Sequence, residues 1–214
     1  MANSIAENLE NVFTRLERAA RKAGRDPGEV TLVAASKTVE PKRIKEAISA
    51  GARVFGENYV QEAKEKIEKT KRKPVKWHFI GHLQKNKAKA AVEMFDMIET
   101  IDSIELAREI SKKAKTAKKE VDVLIEVNIA KERSKSGVTP KQTERLAKQI
   151  AALENLKLRG LMAIPPIAEN PEATRPYFIT LRRIAERINK ERIDGVFLHE
   201  LSMGMSNDFE VAVE

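Results

Sequence analysis

The sequence predicts a parallel α/β fold, a (β/α)8 barrel one strand short of closure. Three observations point there. Short apolar runs alternate with amphipathic helical segments along the whole chain. No composition break marks a linker, so residues 1–214 read as one domain, with a helix over 1–24 packed on it. No G-x-G-x-x-G or Walker A sequence follows any apolar run, which favours the barrel over a doubly wound nucleotide-binding sheet. The 214 residues lie near the floor of about 200 for such barrels.

The first helix opens on a capping box, Ser4-x-x-Glu7, carries Ile5, Leu9, Val12, Phe13, Leu16 and Ala20 at helical spacing, and ends at Gly24. Val30–Ser36 is a buried strand, too short for a helix and preceded by the turn Asp26-Pro27-Gly28. Pro41 starts a helix with Ile44, Ala47 and Ile48 on its stripe. Arg53–Gly56 is the second strand, followed by a charged helix from Tyr59 to Lys71. Val75–Ile80 is the third, followed by a Lys/Ala-rich helix ending near Phe95. Met97–Ile101 is the fourth, with Asp102 as the expected cap of a helix reaching Lys119. Val121–Val127 is the fifth; Lys131–Gly137 reads as a loop, and Pro140 opens the next helix. Leu156–Ile164 is the sixth, closed by Pro165-Pro166, and Pro171 starts a helix with Tyr177, Leu181, Ile184, Ala185 and Ile188 on one face. Gly195–Leu201 is the seventh, and Asn207–Glu214 begins a last helix.

Composition removes several function classes. With no cysteine, disulfides, thiolate metal sites and a cysteine nucleophile are excluded. The N-terminus lacks the apolar stretch of a signal peptide and no run approaches a membrane span, so a cytoplasmic protein is expected. The net charge of +8 raises nucleic-acid binding, but Lys is mixed with Glu on nearly every helix, the pattern of a solvated surface. The run Lys85, Asn86, Lys87 and Lys89 reads as a solvated helix face for the same reason. His78 and His82 lack a third ligand for a metal, and no Ser, His and acid are placed as a triad.

Chemistry in such a barrel sits at the C-terminal ends of the strands. Lys37 follows the first strand; desolvated there, its neutral amine would form a Schiff base with an aldehyde, whereas a Lys that merely reaches to solvent is the plain alternative. Ser202-Met-Gly-Met-Ser206 runs from the seventh strand into a helix start, where small residues and free N–H groups favour an anion such as phosphate. Ser206 also suits a helix cap.

At these strand ends the chain resembles a known family. Val33-Ala-Ala-Ser-Lys37-Thr, Phe55-Gly-Glu-Asn-Tyr59-Val-Gln-Glu62, Trp77-His-Phe-Ile-Gly-His-Leu-Gln84-x-Asn-Lys87, Gly160-Leu-Met-Ala-Ile-Pro-Pro166 and Leu201-Ser-Met-Gly-Met-Ser206-x-Asp208 are similar to motifs of the pyridoxal phosphate homeostasis proteins. The resemblance runs in order from about Leu32 to Glu214. It implies a pyridoxal-phosphate barrel of the alanine racemase N-terminal-domain type, fold type III. It implies Lys37 as the Schiff-base lysine for pyridoxal 5'-phosphate, with the Gly204-Met205-Ser206 turn at the cofactor phosphate and Ser202 among the cofactor-binding residues. Asn58 and His82 line the same mouth, and Met162 lies beside the ring. The implied role is to bind, buffer and hand over the cofactor, with cofactor-requiring apo-enzymes as partners. A monomer is expected, without nucleic acid or membrane. A pyridoxal-phosphate racemase or decarboxylase is the alternative; it needs a second acid/base opposite the lysine, and only Tyr59 and Tyr177 supply phenols. The family continues with an eighth strand that carries an Arg facing the pyridine nitrogen; the sequence stops before it, so either the chain is cut short or the barrel is incomplete, in which case the first and seventh strands are open edges.

Overall fold

The computed structural model describes residues 4–70, 74–132 and 135–214. Seven strands form one sheet in sequence order with every pair parallel: β1 (Val33–Ala35), β2 (Val54–Glu57), β3 (Lys76–Phe79), β4 (Met97–Ile101), β5 (Val121–Glu126), β6 (Leu156–Met162) and β7 (Glu200–Ser202). Sequential parallel pairing demands a crossover after each strand, and the helices supply it. They are α1 (Ile5–Lys22), α2 (Pro41–Ser49), α3 (Val60–Thr70), α4 (Ala88–Met94), α5 (Ile104–Ala117), α6 (Thr143–Ala151), α7 (Arg175–Lys190) and α8 (Phe209–Val213). The curled sheet is a seven-stranded barrel lacking its eighth member among the described residues.

One face of the sheet packs on the helices through Phe55, Phe79, Ile98, Ile101, Ile125 and Leu161, all essentially buried. Paired residues of parallel strands point to the same side. The register therefore puts Ala35, Gly56 and His78 in one row, and Glu126, Met162 and Ser202 in another. Ser202 lines the inner cavity and so identifies the side facing inward.

The elements hold at their expected places, and their ends differ for local reasons. The capping box of α1 forms: Glu7 N–H donates to Ser4 Oγ, and Ser4 N–H to Glu7 Oε2 at 2.7 Å. β1 covers three residues rather than 30–36, and β7 covers 200–202 rather than 195–201. Both are sheet edges, where extended backbone pairs on one side alone. Before β7, the Leu198 N–H goes instead to Asn189 Oδ1 at 2.8 Å. Ser103, not Asp102, caps α5, its Oγ accepting from Leu106 N–H. Ser206 is no helix cap; α8 starts after Asp208. The helix expected from Pro140 begins at Thr143, and short 3-10 turns precede α4 and α7. Lys71, the expected end of α3, lies outside the described residues, as do residues 1–3 of the first helix and 133–134 of the loop after β5.

Helices span the gap between β1 and β7. Leu16, Ala19 and Ala20 of α1 bury against Val213 of α8, with Val30, Leu32 and Phe209 beside them. Arg15 pairs with Glu210 at 2.7 Å, Lys22 with Glu214 at 2.6 Å, and Arg25 Nη1 donates to Val213 O at 2.8 Å.

Contact between β6 and β7 is close at Gly160, where an added Cβ would stand 1.8 Å from Glu200 O. Gly160→Ala therefore has to push the short edge strand β7 away. Overpacking of this kind is expected to cost about 1–3 kcal/mol. Urea unfolding compared with the parent chain measures it, and an unchanged midpoint would show that β7 yields freely.

Candidate functional site

All seven strands are parallel, so the segments after their C-terminal ends gather at one end of the sheet. Lys37 lies there, exposed in the turn after β1, the solvent-reaching placement of the two open to it. Asn58, half-buried, follows β2, and His82, exposed, follows β3. His82 Nδ1 stands 3.3 Å from Ser136 Oγ and 3.5 Å from Asp102 Oδ2. Met162 is buried at the end of β6. After β7 come Ser202 and Gly204, half-buried, then Met205 and Ser206, exposed.

Below this end an inner cavity of about 930 Å³ reaches from Val33 and His78 past Glu99 and Leu124 to Ser202 and Gly204. Ser202 and Gly204 line it; Lys37, Asn58, His82, Met162, Met205 and Ser206 stand outside its wall. The Ser202 hydroxyl is engaged at the cavity wall. Its Oγ donates to Glu99 Oε2 at 2.5 Å, and Glu99 Oε1 lies 2.6 Å from Nδ1 of His78. Serine, acid and histidine are thus joined, with the acid in the middle. The Ser202 proton goes to a carboxylate rather than to an imidazole, so no activated nucleophile results.

The Gly204-Met205-Ser206 turn needs its glycine. Gly204 has φ +87°, and a Cβ there would stand 2.8 Å from Ala212 Cβ and 3.0 Å from Phe209 Cα. The Met205 N–H is already taken by Asp208 Oδ1 at 2.6 Å. The N–H groups of Ser206 and Asn207 have no acceptor among the described residues, and with the Ser206 hydroxyl they are donors free for an anion. A primary amine and the free donors of a glycine turn thus stand at the same end of the sheet.

A buried ionic cluster, unforeseen in the sequence, lies behind Lys37. Lys66 Nζ donates to Ser36 O at 2.6 Å and to Glu57 Oε1 and Glu62 Oε1, each at 2.8 Å. Ser36 Oγ also donates to Glu57 Oε1, and Thr38 N–H to Glu62 Oε1 at 2.6 Å. Hydrogen bonding to the Lys66 ammonium first, and then to Thr38 N–H, outweighs burial and holds the Glu62 carboxyl below its ordinary range. The spacing of α3 carries a signal for this: Val60, Ala63, Lys66 and Thr70 fall on its buried face.

Glu126 is the second residue that sequence reasoning missed. It points inward at the end of β5, its Oε2 buried with no hydrogen-bond partner among the described residues. Burial, then the nearby Asp102 charge, raises its carboxyl to about 7. Among the described residues, no cluster of three metal-ligating side chains occurs.

Parallel barrel, lysine after the first strand and glycine turn after the last define a class, that of the alanine racemase N-terminal domain. The family model of that description matches residues 8–212. The chain belongs, within this class, to the pyridoxal phosphate homeostasis protein family. It is 45% identical over 211 residues to the pyridoxal phosphate homeostasis protein of Aquifex aeolicus (strain VF5), covering 99% of this chain and 92% of that one. Among solved structures it is similar to PipY of Synechococcus elongatus PCC7942 with PLP bound. The TM-score there is 0.80 at 36% identity, covering 93% of this chain and 92% of that chain. An alanine racemase of Clostridium difficile 630 shares the fold alone, at TM-score 0.71 and 11% identity over 97% of this chain and 52% of that one.

Proposed function

We propose that this protein binds pyridoxal 5'-phosphate at Lys37 and the Gly204-Met205-Ser206 turn, and that it carries and buffers the cofactor for enzymes that require it. The observation that carries the reading is the exposed Lys37 amine sharing one end of the sheet with the unpaired donors of the turn after β7. The relatives named for pyridoxal phosphate homeostasis, and PipY with PLP bound, support it.

When bound, the cofactor supplies an aldehyde carbon to the lysine and a phosphate to the turn. Lys37 Nζ holds the aldehyde end. The Ser206 and Asn207 N–H groups and the Ser206 hydroxyl hold the phosphate, with Gly204 and Met205 shaping the turn. Asn58, His82 and Met162 border the ring between them, and Ser202 braces the wall below through Glu99. Lys37, His82, Met205 and Ser206 are open to solvent, which suits hand-over to apo-enzyme partners better than a sealed catalytic site. In this reading residues 1–214 act as one unit, a monomer in the cytoplasm, without nucleic acid or membrane. No helix among the described residues is long and apolar enough to cross a membrane. Racemisation or decarboxylation of an amino acid is the second reading, favoured by the inward Glu126 as an acid/base.

The test is reconstitution with pyridoxal phosphate, borohydride reduction and peptide mass analysis. One reduced adduct on Lys37 is expected, and Lys37→Ala loses it together with the long-wavelength absorbance. A protein that stays colourless overturns the proposal. Steady amino-acid turnover lost in Lys37→Ala supports the second reading instead.

A further inference from the structure

Lys37 is the residue between two peptide planes, and α3 grips both. The carbonyl of the plane before it, Ser36 O, accepts from Lys66 Nζ at 2.6 Å. The N–H of the plane after it, that of Thr38, donates to Glu62 Oε1 at 2.6 Å. Lys66 and Glu62 are themselves an ion pair at 2.8 Å, four residues apart on the helix. Glu57, fully buried at the end of β2, takes the same ammonium at 2.8 Å and the Ser36 hydroxyl.

The backbone here does not keep its shape unaided. Thr38 has φ +62°, the left-handed region, which a β-branched residue enters only when its surroundings hold it there. Neither Lys66 nor Glu57 belongs on the surface by burial: Lys66 is 3% exposed and Glu57 0%. A lysine so placed loses its hydration, and a plain apolar residue on this stripe of α3 would avoid that loss. The hydrogen bonds recover it by fixing the turn that bears the amine.

The geometry points to Lys66 and Glu62 as positioning residues that clamp the two peptide planes flanking Lys37 and so aim its amine at the aldehyde of pyridoxal phosphate. This rests on the reading of Lys37 given above. Lys66 has its donors occupied by Ser36, Glu57 and Glu62 and touches no cofactor; it acts through Lys37.

A double-mutant comparison tests it. Pyridoxal phosphate is titrated into the parent, into Glu62→Ala, and into Lys66→Met/Glu57→Gln, a pair that removes both buried charges and leaves Ser36 Oγ an acceptor. Each change is repeated in a Lys37→Ala background, where only the phosphate end is held. Circular dichroism establishes that every variant is folded. The clamp predicts an affinity about tenfold weaker for the Lys66 pair and weaker for Glu62→Ala, the scale of losing hydrogen bonds to charged groups. It also predicts slower borohydride-trapped attachment. In the Lys37→Ala background the same changes leave the residual binding unaltered. Equal losses in both backgrounds overturn the clamp, since a general structural role would produce them. Folded variants that bind and react like the parent overturn it too. A parent that takes up no pyridoxal phosphate overturns both this inference and the function on which it rests.

Discussion

Lys66→Met is expected to lower the free energy of unfolding by about 3–5 kcal/mol, the cost of breaking a buried pair from one side. The ammonium serves Glu57, Glu62 and the Ser36 carbonyl together, and Glu57 has no solvent to fall back on at 0% exposure. Glu57 Oε2 already lacks a partner among the described residues. Without Lys66 the only hydrogen bond left to that carboxylate among the described residues is the Ser36 hydroxyl. Adding Glu57→Gln removes the stranded charge, so the double variant is expected to recover most of the loss. Urea unfolding at neutral pH measures all three chains. A single variant within about 1 kcal/mol of the parent would show that the cluster contributes no more than an exposed ion pair.

This cluster also shows where sequence reading stops. The strands were legible because runs such as Val54–Glu57 and Val121–Glu126 are buried on the helix side by apolar residues with turn signals at their ends. Lys37 and the Gly204 turn were legible because strand ends are where a parallel barrel works. Lys66 was hidden inside Gln61-Glu-Ala-Lys-Glu-Lys66-Ile-Glu-Lys-Thr70, whose alternating charges look like any solvated helix face. Its partner Glu57 is nine residues away on another element, and only the packing of α3 on β2 brings them together. Ser202 shows the same limit. Its place after β7 puts it at the mouth, but the bond from its hydroxyl to Glu99 on β4, across the interior and 103 residues distant, is visible only in the fold. Edge strands defeated the reading of length, since an apolar run becomes strand only where a neighbour pairs with it.

Glu126→Gln is expected to stabilise the protein by about 2–3 kcal/mol above pH 7 and to leave it unchanged near pH 4. In the fold the Glu126 carboxyl titrates at about 7, against 4.5 ordinarily, because burial first and the Asp102 charge second oppose its ionised form. Below 4.5 the group is protonated in both states and contributes nothing to the pH dependence. Between 4.5 and 7 the unfolded chain releases the proton while the folded chain retains it, so stability falls as pH rises. Above 7 the full penalty stands, about 3 kcal/mol at roughly 1.4 kcal/mol per pH unit before allowance for the partial exposure of the side chain. Gln carries no such penalty, and its amide still fills the same space. Asp102→Asn removes only the second cause and is expected to recover a smaller part of the same pH-dependent loss. Unfolding measured at pH 4 and pH 8 separates these outcomes, and a difference between parent and Glu126→Gln that does not change with pH would mean that the carboxyl ionises normally in the fold.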